Sequence, residues 1–387
     1  MTLKQIFGKL HLWLGLASGL VVLIVAGTGI LLVFEDELDE WANHDFYFVS
    51  VPQNAQRVTV DSMLHSATAF NPALKITRIY AETQAPDRSV VFMAKKGKAQ
   101  TWNIAVNPYT GKVIEGKNIS KSFFGVVLDL HRRLCMNEVG KAITGASCLI
   151  FVIMIITGLV LWWPKRWKIL KQRSRIAWSS NWKRLNWDLH AVGGFYVHLV
   201  LLAIALTGLT WAYPWFNNAI YLMFDGKPMK KNEAPANIIK QPVQAGYYES
   251  IYQQANNRLP YKGRITMLFP EKENLAITVN KMNREASVNN IIDVLYFEKG
   301  TGRLLKENLF KSSSTGSKVR RMVYPIHTGR LYGWPTQIIA LIAAMVAFSL
   351  PITGLLIYLV GRKKRKARTV KKAVREVVAV QEESVLV

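Results

Sequence analysis

The stretch HLWLGLASGLVVLIVAGTGILLVF, residues 11–34, decides the architecture. From Leu12 to Phe34 it holds no Asp, Glu, Lys or Arg. A bilayer crossing takes roughly 20 apolar residues, so this run is long enough to span. Three more runs share its character: Gly145 to Trp163, Ala191 to Tyr213 and Thr336 to Val360. Glu35, Asp36 and Glu37 follow the first run with no small-residue cleavage pattern. It is therefore read as a retained anchor, longer than a secretory apolar core.

The spans carry histidines at their edges in a repeated pattern. His11 stands 17 residues before Thr28-Gly29, and His190 stands 17 before Thr207-Gly208. His131 stands 26 residues before Thr157-Gly158, and His327 stands 26 before Thr353-Gly354. Two spacings, each kept without slip, predict a tandem repeat in which each copy is a helix hairpin. Ionisable side chains at membrane helices are costly and point to function. Imidazole is also well suited to hold a haem iron.

The net charge of +25 is topological. Lys165, Arg166, Lys168, Lys171, Arg173 and Arg175 lie between the second and third runs. Arg362, Lys363, Lys364, Arg365, Lys366 and Arg368 follow the fourth. The positive-inside rule places both termini and this middle loop in the cytoplasm, and two loops of about 110 and 120 residues outside. Anionic lipid accounts for the basic tail, and no nucleic-acid partner is expected.

The two cysteines, Cys135 and Cys148, would lie roughly 20 Å apart on a helix, too far to bridge. No CxxC or CxxCH occurs, so c-type haem attachment is excluded and any haem is held non-covalently. There is no HExxH, GxSxG, P-loop or GxGxxG motif. Without a dinucleotide motif, electrons would come from a membrane quinol or a protein donor.

Both long loops read in the same order. In the first, Asp61 to Phe70 has helical periodicity, and strands are expected at Lys75 to Ala81, Ser89 to Ala94 and Thr101 to Val106. The turn Asn107-Pro108-Tyr109-Thr110-Gly111 leads into Lys112-Val113-Ile114. In the second, Tyr247 to Ala255 reads as helix, and Ile265 to Phe269, Leu275 to Val279 and Ile292 to Phe297 read as strands. Each loop is thus a small α+β module. The expected fold is an all-α four-helix transmembrane bundle with two external α+β modules.

These segments resemble the PepSY-associated transmembrane family. The likeness rests on His11-Leu12-Trp13-Leu14-Gly15, Asp129-Leu130-His131-Arg132-Arg133-Leu134, Asp188-Leu189-His190-Ala191-Val192-Gly193-Gly194 and Ile326-His327-Thr328-Gly329. The Thr-Gly pairs and the Pro-Tyr-Thr-Gly-Lys-Val turn add to it, and it covers nearly the whole chain except the tail. The resemblance implies a bacterial inner-membrane protein with PepSY-like modules in the periplasm. It further implies a link to iron uptake, as in di-haem reductases that release iron from ferric siderophores. The family is functionally mixed, so membership alone does not define the activity.

The expected layout follows from spans and resemblance together. Residues 1–34 form the cytoplasmic N-terminus and first span, 35–122 the first module, and 123–163 an interfacial segment with the second span. Residues 164–190 form the basic cytoplasmic loop and 191–213 the third span. Residues 214–318 form the second module, 319–361 a histidine segment with the fourth span, and 362–387 the basic tail.

Depth sorts the histidines. His11 and His190 belong near the cytoplasmic face, His131 and His327 near the other, and each pair matches in the repeat. Two axial imidazoles per iron make a haem built for electron transfer, so two b-type haems are expected. His131 lies about a dozen residues before its apolar run, so either residues 123–137 bend back into the interface or the outer haem sits at the surface. His198 breaks the symmetry, roughly 12 Å beyond His190 and about 80° round the helix, with Gly19 as its counterpart. It either replaces one ligand, pairs with an outer histidine, or does neither. Arg132 and Arg321 are candidate partners for haem propionates or an anionic chelate. The Thr-Gly pairs read as helix packing, and Gly15, Gly19, Gly193 and Gly194 as packing or haem-facing positions. Boundary histidines also anchor helices at headgroups without binding metal. The rival reading is a non-enzymatic membrane protein whose modules bind a peptide or protein partner, as a protease regulator or assembly factor does.

Overall fold

The computed structural model describes residues 2–385 apart from 55, 98–99, 230–233, 239–240 and 273. In chain order the helices are α1 (Leu3–Leu32), α2 (Glu35–Ala42), α3 (His44–Tyr47), α4 (Val60–Phe70), α5 (Phe123–Arg133) and α6 (Asn137–Trp162). They continue with α7 (Leu170–Arg173), α8 (Trp182–Ala212), α9 (Pro214–Asp225), α10 (Tyr247–Arg258), α11 (Thr315–His327) and α12 (Trp334–Val385). The chain divides into two compact units. One contains Met1–Ile30, His131–Leu209 and Ala340–Val387, the other Leu31–Leu130 and Thr210–Ile339.

The first unit is a bundle of four helices. Leu3–Leu32, Asn137–Trp162, Trp182–Ala212 and Trp334–Arg362 are each long and apolar enough to cross a membrane. Their polarity is inverted relative to a soluble bundle. Ser18, Thr28, Ser147, Thr157 and Thr353 are buried, while Leu20, Leu199 and Ile339 are exposed. Lipid solvates apolar side chains as well as a core does, so small residues take the interior and let helices approach. One contact centre joins Leu201, Ala343 and Ala347 with Ala26, Phe151 and Ile155, drawing on all four helices. The third span starts earlier than its apolar run implies, because α8 begins at Trp182. His190 therefore sits eight residues inside α8, as His11 sits eight inside α1.

The second unit is built on one sheet. The strands are β1 (Lys75–Thr83), β2 (Val90–Lys96), β3 (Gln100–Val106), β4 (Val113–Asn118), β5 (Gly263–Leu268), β6 (Ile277–Asn283), β7 (Ile292–Phe297) and β8 (Leu304–Asn308). All are antiparallel, in the order β4-β3-β2-β1-β5-β6-β7-β8. The expected helix-then-meander order is present in both loops. The two modules are not separate, however. β1 pairs with β5 from Arg78↔Leu268 to Thr83↔Gly263, which merges two four-stranded meanders into one sheet. Each meander would otherwise leave β1 or β5 as an open edge, and pairing them removes both. α4 and α10 lie on one face and bury Met63, Ala67, Ile251 and Ala255 against Ile79, Phe92, Ile104, Ile265 and Val279 in one core. Asp61 of α4 accepts from the Tyr248 and Glu249 amides of α10, and Glu249 accepts from the Val60 amide. Each helix thus caps the other.

Candidate functional site

The bundle resolves what the repeated spacings mean. His11, His131 and His190 each dock on the Thr-Gly pair of the partner helix in their own hairpin. Nδ1 of His11 on α1 lies 2.9 Å from Oγ1 of Thr157 on α6. Nδ1 of His131 lies 3.0 Å from Oγ1 of Thr28 on α1. Nδ1 of His190 on α8 lies 2.9 Å from Oγ1 of Thr353 on α12. The spacings of 17 and 26 are thus matched climbs along two antiparallel helices.

Both residues of the Thr-Gly pair contribute. The Thr157 hydroxyl donates to the carbonyls of Ile153 (2.9 Å) or Met154 (3.1 Å), and Thr353 and Thr28 bond in the same way. With its proton so directed, the threonine oxygen accepts from the ring, which fixes the histidine proton on Nδ1. His131 Nδ1 also donates to the Val25 carbonyl at 2.9 Å, an acceptor that requires that tautomer. The Met154 and Leu350 carbonyls serve His11 and His190 likewise. Nε2 then carries the lone pair, the state a metal needs, and a held Nδ1–H strengthens the ligand. Glycine makes room for the ring. A Cβ at Gly158 would stand 3.3 Å from His11 Cε1, at Gly354 3.2 Å from His190 Cε1, and at Gly29 3.5 Å from His131 Cε1.

His11 and His190 come together. Their ring centroids are 6.3 Å apart with planes at 87°. Two imidazoles on one metal, each with a bond of about 2 Å and roughly 1 Å more to the ring centre, place their centroids roughly 6 Å apart. The separation therefore suits two residues that would hold one iron. Among the described residues no three His, Cys, Asp or Glu side chains converge on a point. Two nitrogens alone do not complete a protein-made metal site, whereas a porphyrin supplies the other four. A second observation is that Trp162 is 6% exposed and its indole N–H has no partner among the described residues. It leaves a buried donor available to an oxygen acceptor.

The remaining candidates sort differently. His131 is reached by a reversal: α5 ends at Arg133, and Leu134, Cys135 and Asn137 take positive φ of 50°, 55° and 52° before α6. A Cβ at Gly140 would lie 1.6 Å from the Arg133 carbonyl, so only glycine permits the turn. The Arg132 carbonyl accepts from the Thr144 hydroxyl at 2.8 Å, which closes it. The chain thus reverses between α5 and α6. His327 packs edge-on against Trp211, centroids 5.0 Å apart. His198 donates Nδ1–H to the Phe195 carbonyl of its own helix and stacks on the Phe195 ring, which stacks on Trp162 at 3.5 Å. Arg321 is half-buried on α11, and its carbonyl accepts from Asn290 at 2.7 Å. His65 and His44 are exposed, the latter stacked on Phe48. Gly15, Gly19, Gly193 and Gly194 face Met154, Pro351, Val346 and Leu350, so they serve helix packing.

In the sheet unit, α2 is held by a charged clamp. Arg330 bonds Asp36 and reaches Glu37 at 3.0 Å, and Gln337 reaches Glu37 at 2.9 Å and the Val33 carbonyl at 3.2 Å. Glu35 beside them is pushed up to about 7, by burial first and by the Asp36 charge second.

A four-helix membrane bundle with threonine-docked histidines, coupled in sequence to an eight-stranded sheet unit, defines a class of multi-pass membrane protein. The PepSY-associated TM region matches residues 9–360, and the chain belongs to that family. Comparison with curated proteins returns no match.

Proposed function

We propose that the chain is an inner-membrane electron-transfer protein holding two b-type haems and reducing a ferric chelate in the periplasm. The observation that carries this reading is the His11–His190 pair, with Nδ1 held and ring centres 6.3 Å apart. Haem would supply a one-electron iron couple, closed to oxygen chemistry by two axial imidazoles. His11 and His190 are the inner ligands and His131 and His327 the outer ones, each pair related by the tandem repeat. Along α1 the two docking levels, His11 and Thr28, are 17 residues or roughly 25 Å apart, as sites serving opposite membrane faces need.

The chain's own residues do the holding and orienting. Thr157 and Thr353 fix the ligand tautomer, and Gly158 and Gly354 admit the ring edges. His198 also holds its Nδ1–H, on the Phe195 carbonyl of its own helix, and stands in the aromatic stack with Phe195 and Trp162. The basic loop after α6 and the basic tail orient both termini to the cytoplasm, where a quinol or protein donor delivers electrons. The sheet unit then lies in the periplasm with the chelate. Reduction of ferric to ferrous iron weakens its hold on hard oxygen ligands, and the metal is released.

The test is the visible spectrum of detergent-purified protein before and after dithionite, with haem counted per chain. The expected result is a sharp reduced α-band and two haems, falling to one in His11→Ala or His190→Ala. A colourless protein after expression with ample haem would remove the reading. It would leave the sheet unit as a partner-binding module.

A further inference from the structure

Arginines in the sheet unit are matched to acids with two half-buried exceptions. Arg88 meets Glu40, Arg258 meets Glu307, Arg264 and Arg284 share Glu82, Arg303 meets Glu298, and Arg330 meets Asp36 and Glu37. Arg57 and Arg78 meet no acid among the described residues but are exposed. Arg320 and Arg321, adjacent on α11, are half-buried and meet no carboxylate among the described residues. Arg320 Nε donates to Asn217 Oδ1, and the Arg321 guanidinium has no acceptor among the described residues. A partly desolvated guanidinium without a counter-ion is costly. Such a group is retained where a ligand completes it.

A cleft lies beside them. It encloses about 510 Å³ between α9, the loop after β8 and the start of α11, and its walls include Tyr221, Lys227, Ser313 and Ser317. That volume falls within the roughly 300–1,000 Å³ of small-molecule sites. Tyr221 lines the cleft, and Asn217, one turn before it on α9, is the residue that accepts from Arg320 Nε. Ser317 and Arg321 are one turn apart on α11 and share a face. The Ser314 hydroxyl gives its one proton to Asp225, so the Ser317 hydroxyl, 3.0 Å away, donates to Ser314. The acid in the wall, Asp225, is already occupied: its oxygens take the Gly316 amide and the Ser314 hydroxyl, both at 2.7 Å. It caps α11 and does not neutralise the arginines. Lys227, Arg320 and Arg321 against Asp225 leave a surplus of two positive charges (three minus one).

We propose that this cleft binds a multiply anionic, oxygen-rich chelate of carboxylate type, with Arg321 and Lys227 as its charge partners. The site deepens the reductase reading by naming the substrate class, and it rests on that reading for its role. A planar guanidinium pairs two carboxylate oxygens at once, which a neutral hydroxamate chelate does not offer. Phosphate headgroups share the anionic chemistry, and Met223 and Phe224 on α9 are exposed apolar neighbours. The experiment must therefore separate a free chelate from lipid.

The measurement is isothermal titration of gallium citrate into full-length protein in neutral detergent, with and without added phosphatidylglycerol. Gallium is not reduced, so binding is read independently of any haem. Saturable binding is expected, weakened roughly ten- to hundred-fold in Arg321→Glu by loss of a charged hydrogen-bonded pair. Ser317→Trp, which fills the cleft and keeps the charge, is expected to abolish it. Circular dichroism and haem content unchanged in both variants certify the fold. No binding, equal binding in both variants, or displacement by phosphatidylglycerol at equal concentration overturns the proposal. Binding by a protein that proves colourless supports the cleft and sinks the reductase reading instead.

Discussion

Replacing Thr157 by valine tests the docking logic with one atom. Thr157 is 2% exposed, and valine keeps its shape while exchanging Oγ1 for a methyl. His11 Nδ1–H then loses the acceptor at 2.9 Å and retains only the Met154 carbonyl. A hydrogen bond lost with a fallback acceptor costs about 0.5–1.5 kcal/mol. Partners that orient a metal-ligating histidine are worth roughly 10- to 100-fold in metal affinity. The fallback sets the expectation at the low end, about ten-fold or ~1.4 kcal/mol. The assay is haem transfer from purified protein to excess apomyoglobin, followed in the Soret band and read as a dissociation rate for each haem. One of the two phases is expected to accelerate about ten-fold in Thr157→Val and to return to the parental rate in Thr157→Ser. Equal rates in parent and valine variant would refute the reasoning. So would serine failing as badly as valine, because that outcome makes the position one of packing.

Other expectations follow from the same geometry. Gly354→Val puts a branched side chain where a Cβ alone would stand 3.2 Å from His190 Cε1, so loss of one haem per chain is expected in the pyridine haemochrome assay. Thr83 bridges β1 and β5 through its hydroxyl, which donates to the Gly263 carbonyl at 2.9 Å and accepts from the Gly263 amide at 3.0 Å. Thr83→Val is expected to cost about 1–3 kcal/mol of the sheet unit's stability by stranding that buried amide, measured by urea denaturation. Glu35 is held near 7 when folded against an ordinary 4.5, so the folded state binds its proton more tightly. The Glu35 contribution to stability is then fully present below pH 4.5 and is lost as pH rises through 7, by about 1–2 kcal/mol after allowance for solvent screening. Glu35→Gln is expected to flatten that slope in thermal melts between pH 5 and pH 8.

Local patterns in the sequence account for much of this structure. The four spans show as charge-free runs, and the strands of both loops were legible from alternation and their turns. The docking was half legible. The identical spacings marked Thr28, Thr157 and Thr353, but packing alone was the reading, because nothing local says that a threonine faces a ring on another helix. The reversal before α6 carried a weak signal: Gly140 is required, yet Leu134 and Cys135 at positive φ are residues that seldom adopt it. The fusion of the two modules was not legible. Nothing near β1 names β5 as its neighbour, since antiparallel pairing depends on a register set far along the chain. Arg321 was legible as a candidate partner for an anion, but that the other half-buried arginines of the unit, Arg88, Arg264 and Arg330, are matched to acids is visible only in the structure.

The β1–β5 seam also governs how this protein is made. Ile79 and Met267 are register partners separated by 188 residues. At synthesis rates of about 5–20 residues per second, the first meander waits roughly ten to forty seconds for its neighbour. During that interval a nine-residue strand, β1, has an unpaired edge. Until β5 arrives, that edge is open to pairing with another chain. A chain truncated after the second span makes the wait permanent, and dimers joined strand to strand are its expected product.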